Sequence, residues 1–398
     1  MFSLRMFKSD LPYLKTLSFM FYATNAILVG FLPVYLQYID LNNSQIGLVL
    51  AVGPLATILA QVFWGYLSDK FKTVKKIIQV CIVGFLVASL FFFNIYSYYF
   101  ILLSIFVLFF FAIPIGALTD SLSQRLAAKY GVVFGKIRMW GSIGFCFASI
   151  TAGFILYKIG INLMLALLLP MIILLFIVAI FIPDAEYDTQ NKVRLTDLKK
   201  IFMNKKFILF LLFSMSLSVT QRGNDNFIGI YVIELGGNES QVGTAWSMAL
   251  LGEAIIFYLS YLWFKKLHTI QFIIIASVFY CVRWFAYSFV NEPNFIFLLQ
   301  LLNGPSFAIY YMSSFEYISS LLPKHIQSTG HLLFVTTFFG ISGVISASIG
   351  GKILDEWNGG ILYTFLGFIS IISVILFIFY YIFFIKKDSF LKSRERKI

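Results

Sequence analysis

The sequence predicts an all-α integral membrane protein with twelve transmembrane helices in two pseudo-symmetric six-helix bundles. Three observations predict this fold class: an apolar composition, apolar residues gathered in helix-length blocks, and a short repeat between the two halves. The chain has 398 residues, of which 60% are hydrophobic and 12% are charged. Soluble domains carry roughly a quarter charged residues. One aqueous core cannot bury this much apolar surface, so lipid is the expected solvent.

The apolar residues form blocks whose length matches a bilayer. A helix needs about 20 consecutive apolar residues to cross the hydrocarbon core. The predicted spans are 16–38, 44–67, 77–95, 99–124, 137–158, 162–182, 206–232, 239–263, 270–290, 293–320, 329–351 and 360–385. We interpret the first block as a retained helix and not a signal peptide, because it has no small-residue cleavage site and leads into a second span.

The net charge of +12 is distributed unevenly along the chain. Lysines and arginines gather in alternate loops and in the tail from Lys386 to Lys397, whereas the opposite loops are mainly acidic. By the positive-inside rule, both termini are expected in the cytoplasm. The membrane is expected to be the plasma membrane. The basic excess therefore orients the protein in the membrane, and we expect no nucleic-acid partner.

The sequence offers no set of catalytic or metal-binding residues. Its three cysteines, Cys81, Cys146 and Cys281, lie inside apolar blocks without metal-ligand spacing. There is no His-Glu-x-x-His motif and no glycine-rich phosphate loop in a soluble domain. We therefore expect no disulfide framework, no metal and no enzyme activity.

A repeat divides the chain into two halves. Ser44-Gln45-Ile46-Gly47 opens the second span and Ser240-Gln241-Val242-Gly243 opens the eighth. Ser at a helix start can cap free backbone N–H groups. We predict a bundle over 1–183, a cytoplasmic linker over 184–205, and a second bundle over 206–398 that ends in a short cytoplasmic tail. Repeated halves with a solute site between them are a recurring plan of secondary transporters.

The loop after the second span carries an ordered motif. Gly65-Tyr66-Leu67-Ser68-Asp69-Lys70 is followed by Phe71-Lys72-Thr73 and two further lysines. It resembles the G-x-L-S-D-K/R-x-G-R/K-R/K signature of the major facilitator superfamily, with Phe71-Lys72-Thr73 in place of the small-residue turn. The resemblance implies a gating loop in which Gly65 permits close helix contact and Asp69 pairs across the cytoplasmic face, next to Lys70. The alternative is an ordinary basic anchoring loop.

Ionisable residues inside spans are functional candidates, because each costs about 2.5–3.5 kcal/mol on insertion scales. Their charges sum to zero, as expected if they pair. They are Asp120, Arg138, Arg222, Asp225, Glu253 and Arg283. Arg222 and Asp225 are three residues apart and lie on one helix face. Either they line a polar cavity, as the amides beside them suggest, or they form an internal ion pair that only relieves burial.

Short motifs across most of the chain resemble the lactose permease-like branch of that superfamily. The matching segments are Phe31-Leu32-Pro33, Gln61 through Lys70, Phe134 through Gly141, Leu251-Gly252-Glu253 and Cys281-Val282-Arg283. An acid, Asp120, precedes Arg138 at the separation found in that branch. The resemblance implies the major facilitator fold and a transporter of sugars, nucleosides or aromatic acids.

The resemblance also implies residue roles. Asp120, Arg138 and Glu253 would bind solute, Phe145 would stack on it, and Arg283 would belong to the proton-handling residues. A carboxylate and a guanidinium can both hydrogen-bond the hydroxyls of a polyol. Asn25 and Asn303 either line the cavity or form hydrogen bonds between helices.

The tenth span departs from that branch. Gln300, Asn303 and Ser306 stand where its Lys, His and Glu lie, and none of the three can carry a proton near neutral pH. Proton coupling would then depend on Asp120, Asp225 or Glu253. Glu253 is the best candidate, because burial favours its acid form while nearby Arg283 opposes it.

The sequence therefore predicts a proton-coupled symporter that works by alternating access as a monomer. Its expected partners are a small solute and the lipid bilayer, with the proton gradient in place of a cofactor. An exporter of amphiphilic compounds is the alternative, permitted by 47 Phe residues. A membrane-embedded sensor is a further alternative, but the segment after Ile385 is too short for a soluble sensor domain.

Overall fold

The computed structural model describes residues 10–95, 97–132, 134–184, 203–264, 266–323 and 326–386. Within them the chain forms twelve long helices and no strand, which confirms the predicted fold class. The first six are α1 (Asp10–Tyr38), α2 (Asn43–Phe71), α3 (Val74–Phe92), α4 (Tyr98–Tyr130), α5 (Gly135–Ile159) and α6 (Met164–Phe181). A short 3₁₀ turn, Ile161–Leu163, leads into α6.

The other six helices include three with irregular turns. They are α7 (Lys205–Glu234), α8 (Glu239–Tyr258), α9 (Thr269–Ser288), α10 (Pro293–Leu321), α11 (Gln327–Val335, continued to Glu356) and α12 (Gly359–Tyr380). A single helical turn, Ser260–Trp263, follows α8. Helix α10 contains a π-helical turn at Gly304–Ala308, α11 contains one at Thr336–Ile341, and α12 ends in one at Tyr381–Lys386. Such turns are rare in proteins, and those that occur often lie at functional sites.

Ten of these helices are long and apolar enough to cross a membrane. Helices α7 and α8 are not among those ten. They carry Arg222, Asp225 and Glu253, the polar residues that interrupt their apolar sequence. The hydropathy of these two helices is therefore lowered by residues that the sequence marks as candidates for function.

The chain divides into two compact units. The first contains residues 1–190 and 227–247, and the second contains 191–226 and 248–398. In the first unit α1 packs along α5, and α4 packs against α2 and α3. In the second unit α9 packs along α12 and against α10. The predicted boundaries at 183 and 206 stay a prediction, since α7 and α8 each contribute residues to both units.

The repeat at the starts of α2 and α8 is a pair of capping boxes. The Asn42 side-chain oxygen accepts from the Gln45 N–H at 2.8 Å, and the Gln45 side chain accepts from the Asn42 N–H at 3.1 Å. Asn238 and Gln241 make the same two bonds, both at 3.1 Å. These caps come from Asn, two residues before the serines to which the sequence assigned capping, because the helices begin at 43 and 239.

The start of α3 is held by the end of the sixth span. Thr73 caps α3 by accepting from the Lys76 N–H at 3.2 Å. The Asp184 carboxylate accepts from the N–H groups of Val74 at 3.1 Å and Lys75 at 3.2 Å. An anion at a helix N-terminus satisfies free donors and complements the helix dipole. Asp184 therefore ties the chain after α6 to the loop that precedes α3.

Candidate functional site

A polar cluster in the first unit joins α1, α4 and α5. Arg138, in the first turn of α5, places its Nε 3.4 Å from Asp120 Oδ2 on α4. The Tyr22 hydroxyl on α1 donates to the same carboxylate oxygen at 3.1 Å. Gly141 leaves room for this arrangement, because an added Cβ would collide with the Tyr22 ring. The side chains of Asp120 and Arg138 remain 32% and 34% exposed, so they keep contact with the solvent-accessible space.

The predicted stacking residue, Phe145, belongs to the same unit. It packs against the small buried residues Ala23, Ala26 and Ala148, and its ring centre lies 5.8 Å from that of Trp246. The two rings are tilted by 56°, within the usual geometry of aromatic pairs. The Trp246 indole N–H finds no hydrogen-bond acceptor among the described residues. The pair combines an apolar surface with an indole donor that has no acceptor among the described residues.

A second polar cluster lies on α7 in the second unit. Arg222 Nη1 and Asp225 Oδ2 form a salt bridge of 3.0 Å, with side chains 17% and 14% exposed. Gln221 Nε2 donates to the other Asp225 oxygen at 3.0 Å. The predicted i, i+3 pair is therefore present. Asn226 contacts a different neighbour, because its amide donates to Ser346 Oγ at 3.2 Å.

Arg283 on α9 is fully buried and is bound by neutral groups. Its Nη1 donates to Asn303 Oδ1 at 2.9 Å and to Ser306 Oγ at 3.3 Å, and its Nη2 donates to Gln300. The guanidinium also lies 4.4 Å from the centre of the Trp284 ring. Within the described chain, Arg283 forms no salt bridge. Gln300, Asn303 and Ser306, at which the tenth span departs from the lactose permease-like branch, are thus the hydrogen-bond acceptors of this arginine.

Glu253 on α8 contacts this group through Asn303, whose Nδ2 lies 3.5 Å from Glu253 Oε2. The structure therefore brings Glu253, Arg283 and Asn303 together in the second unit, where Arg222 and Asp225 also lie. It brings Asp120, Arg138 and Phe145 together in the first. Asn25, on α1, is partly buried and makes no side-chain hydrogen bond to described residues.

The gating loop is only partly described. Gly65 lies on α2 with open space around it, so no close helix contact uses it here. Lys70 is exposed, with its ammonium 5.9 Å from the ring centres of Tyr66 and Phe71. The side chain of Asp69 lies outside the described residues, so its pairing stays a prediction. Lys72 adopts a φ of +50°, in the left-handed region that favours glycine.

Sequence reasoning missed Tyr22, Trp246 and the bridging role of Gln221. Tyr22 is one of 22 tyrosines, and nothing in its local sequence distinguishes it. Its contact with Asp120 joins residues 98 positions apart, so no local pattern could indicate it. Gln221 had a signal, because it directly precedes the Arg222 and Asp225 pair within an apolar span.

These helices are those of a polytopic membrane protein, and the family match identifies a transporter of the major facilitator type and not an enzyme. The chain belongs to the MFS_1 like family, whose model matches residues 11–366. It is a multi-pass integral membrane protein that carries a small-molecule solute.

Several named proteins resemble the chain over most of its length. The maltose permease of Geobacillus stearothermophilus is 24% identical over 361 residues, covering 89% of this chain and 90% of that protein. A probable 3-phenylpropionic acid transporter of Escherichia coli is 23% identical, covering 76% and 80%. A putative nucleoside transporter of Escherichia coli is 24% identical, covering 88% and 89%.

Solved structures share the fold. The crystal structure of nucleoside transporter NupG matches with a TM-score of 0.83 at 16% identity, covering 93% of this chain and 98% of that one. A bacterial homologue of the lysosomal transporter Spinster, in an inward-facing and unoccupied conformation, matches with a TM-score of 0.69 at 13% identity, covering 94% and 95%.

Proposed function

We propose that the protein is a proton-coupled symporter that imports a sugar, a nucleoside or an aromatic acid across the plasma membrane by alternating access. The observation that carries this proposal is the partly exposed cluster of Tyr22, Asp120 and Arg138. It offers a carboxylate, a guanidinium and a phenol on three helices. Relatives whose names refer to maltose, nucleosides and 3-phenylpropionic acid support the same solute classes.

In this proposal Asp120 and Arg138 bind the polar groups of the solute. The planar guanidinium suits a bidentate contact with neighbouring hydroxyls or with a carboxylate. Phe145 stacks on the apolar face of the solute, with Trp246 beside it. Asn25 contributes a further amide donor and acceptor from α1. The proposed contributions of α8 and α10 are the Glu253 carboxylate and the Asn303 amide.

Glu253 is the proposed proton carrier. It is partly buried and lies beside the amide of Asn303, which contacts the permanent charge of Arg283. Asp225 is the second candidate and forms a direct salt bridge to Arg222. Asp120 is the third and forms a salt bridge to Arg138.

The gating loop is proposed to close the cytoplasmic face. Its residues are Gly65, Asp69 and Lys70, of which Lys70 is exposed at the end of α2. An exposed cation at a helix end can pair with an acid on another helix when the face closes. Replacement of Asp69 by Asn should lower the rate of uptake without changing solute affinity, and an unchanged rate would contradict this role.

Uptake by cells or proteoliposomes tests the proposal. We expect labelled maltose, uridine or 3-phenylpropionate to accumulate, and a protonophore to abolish the accumulation. Arg138→Ala should remove uptake, whereas Lys136→Ala should not, because Lys136 is exposed two residues earlier on the same helix. Normal uptake by Arg138→Ala would show that the cluster of Tyr22, Asp120 and Arg138 is not the solute site.

The orientation and the oligomeric state are separate proposals. Both termini are proposed to lie in the cytoplasm, which the distribution of lysine and arginine supports, and the protein is proposed to act as a monomer. A reporter enzyme that is active only outside the cytoplasm, fused after residue 398, should be inactive. A fusion after Asp40, in the loop between α1 and α2, should be active, and the reverse pattern would overturn the orientation.

A further inference from the structure

The charge of Arg283 is separated from its nearest acids by amide side chains. An isolated buried charge is costly, so a buried arginine normally pairs with a carboxylate. Arg283 is 0% exposed, and the described residues give it three neutral acceptors on α10. Gln221 and Asn303 lie between Arg283 and the carboxylates of Asp225 and Glu253. Neutral side chains therefore connect the charges of Arg283, Asp225 and Glu253.

The Asn303 amide makes that connection, and its orientation is determined by its partners. Its oxygen accepts from Arg283 Nη1 at 2.9 Å and from Gln221 Nε2 at 3.3 Å. Its nitrogen faces the Ala249 carbonyl at 3.4 Å and Glu253 Oε2 at 3.5 Å. A flipped amide would put its NH₂ group against two donors and its oxygen against two acceptors. The donor side of the amide therefore faces the Glu253 carboxylate.

The backbone around Asn303 is built for a close approach of α8 and α10. A Cβ added to Gly252 would collide with the backbone of Leu301, and one added to Gly304 would collide with the backbone of Gly252. Glu253 and Asn303 directly follow and precede these glycines in sequence, so the helix crossing brings them together. Asn303 is also the last residue before the π-helical turn Gly304–Ala308.

We propose that Asn303 is a positioning residue for proton coupling, because its amide links the Glu253 carboxylate to the Arg283 guanidinium across the contact between α8 and α10. The ionised carboxylate holds α10 against α8 beside the π-helical turn, and protonation of Glu253 weakens that link. Asn303 on α10 contacts the Glu253 carboxylate directly, and the charged groups connected to it through Asn303 and Gln221 are Arg283 on α9 and Asp225 on α7. This inference rests on the proposed role of Glu253 as proton carrier.

Exchanging the acid and the amide tests the link. Asn303→Asp places a second carboxylate beside Glu253, and like charges at this distance repel. At mildly alkaline pH we expect the thermal unfolding midpoint of the purified full-length protein to fall by roughly 3–6 °C. The new carboxylate on α10 lies beside Arg283 in the single and the double variant alike. Adding Glu253→Gln therefore changes only the group that faces it from α8, restores an amide facing a carboxylate, and should recover at least half of that loss. The recovery should shrink at mildly acidic pH, where a carboxyl is protonated.

Asn226→Asp is the matched control, since Asn226 is a buried amide on α7 that contacts Ser346. Glu253→Gln should not rescue it. A second double-mutant cycle combines Asn303→Ala with Glu253→Gln, which add no charge. It covers the case in which Asn303→Asp does not fold. The changes in unfolding midpoint caused by the two substitutions should be non-additive. Additive effects, or equal rescue of Asn226→Asp, would overturn the proposal.

The unfolding measurements need no solute, so they separate this inference from the proposed function. If no labelled solute accumulates and the exchange still rescues stability, the link stands and the solute assignment fails. If uptake occurs but Asn303 and Glu253 act independently in both cycles, the link fails and the transport assignment stands.

Discussion

The guanidinium carbon of Arg138 lies 3.9 Å from the centre of the Tyr22 ring, so the arginine is stacked on the tyrosine while both contact Asp120. A cation over an aromatic face contributes about 0.5–1 kcal/mol at accessible sites. The stack restricts the guanidinium to one plane, and the hydrogen bond from the Tyr22 hydroxyl restricts the orientation of the Asp120 carboxylate. The three side chains are thereby positioned by one another.

Replacing Tyr22 by Phe should separate these two effects. Tyr22→Phe keeps the ring under Arg138 but removes the hydrogen bond to Asp120, whose loss at a partly exposed site costs about 1 kcal/mol. We expect the KM for uptake to rise about fivefold with little change in maximal rate, since 1 kcal/mol corresponds to about that factor. Tyr22→Ala removes both contacts and should raise KM further. Equal kinetics for Tyr22→Phe and the wild type would show that the hydroxyl does not position Asp120.

The salt bridge between Arg222 and Asp225 should matter most when only one partner is removed. Arg222→Leu or Asp225→Leu leaves a largely buried charge without its counter-ion, and we expect each to cost about 2–4 kcal/mol. The double variant should regain most of this stability, because both charges leave together. Thermal unfolding of the purified protein measures the cycle. If the double variant loses the sum of the single effects, the two charges do not stabilise each other.

The two capping boxes should contribute equally to stability. Asn42→Ala and Asn238→Ala each remove an acceptor for a free N–H group, which costs about 1 kcal/mol. Asn42→Ser and Asn238→Ser retain an acceptor and should lose less. Unfolding midpoints of the four variants provide the comparison. Equal losses for Ala and Ser would show that the caps do not act through the side-chain oxygen.

Lys72 offers a stabilising substitution. Its φ of +50° is unfavourable for a residue with a Cβ, at about 1 kcal/mol, and glycine has no such penalty. Lys72→Gly should therefore raise the unfolding midpoint. Lys76→Gly is the control, because Lys76 lies inside α3 and glycine there costs about 1 kcal/mol. A lower midpoint for Lys72→Gly would contradict the assignment of strain to this turn.

The number and order of the helices were predictable because hydropathy measures what the bilayer requires. The ends of the helices were less predictable. The predicted span 99–124 stops where the apolar residues stop, whereas α4 continues to Tyr130. Apolar length reports the thickness of the hydrocarbon core, but helical hydrogen bonding continues into polar sequence. The caps were misplaced by two residues for a related reason, since a repeat in sequence does not show where the first helical residue lies.

The candidate site was predictable where charge marked it. Arg138, Asp120, Arg222 and Asp225 are conspicuous in apolar sequence, and the structure pairs them. The partners of Arg283 were not predictable from charge, because neutral residues replace the expected acid. Its contacts also depend on how α9 and α10 pack, which hydropathy does not report.

The polar interruptions of α7 and α8 also bear on how the chain enters the bilayer during synthesis. An arginine or an aspartate in the middle of a helix hinders its release from the translocon into lipid. Helix α7 carries its own counter-ion, because Arg222 and Asp225 are bonded within one turn. On α8, the contact of Glu253 with Asn303 forms only after a further stretch of about fifty residues has been made. We therefore expect the contact between α8 and α10 to form late in synthesis, so that the side chains proposed for coupling also mark a late step of assembly.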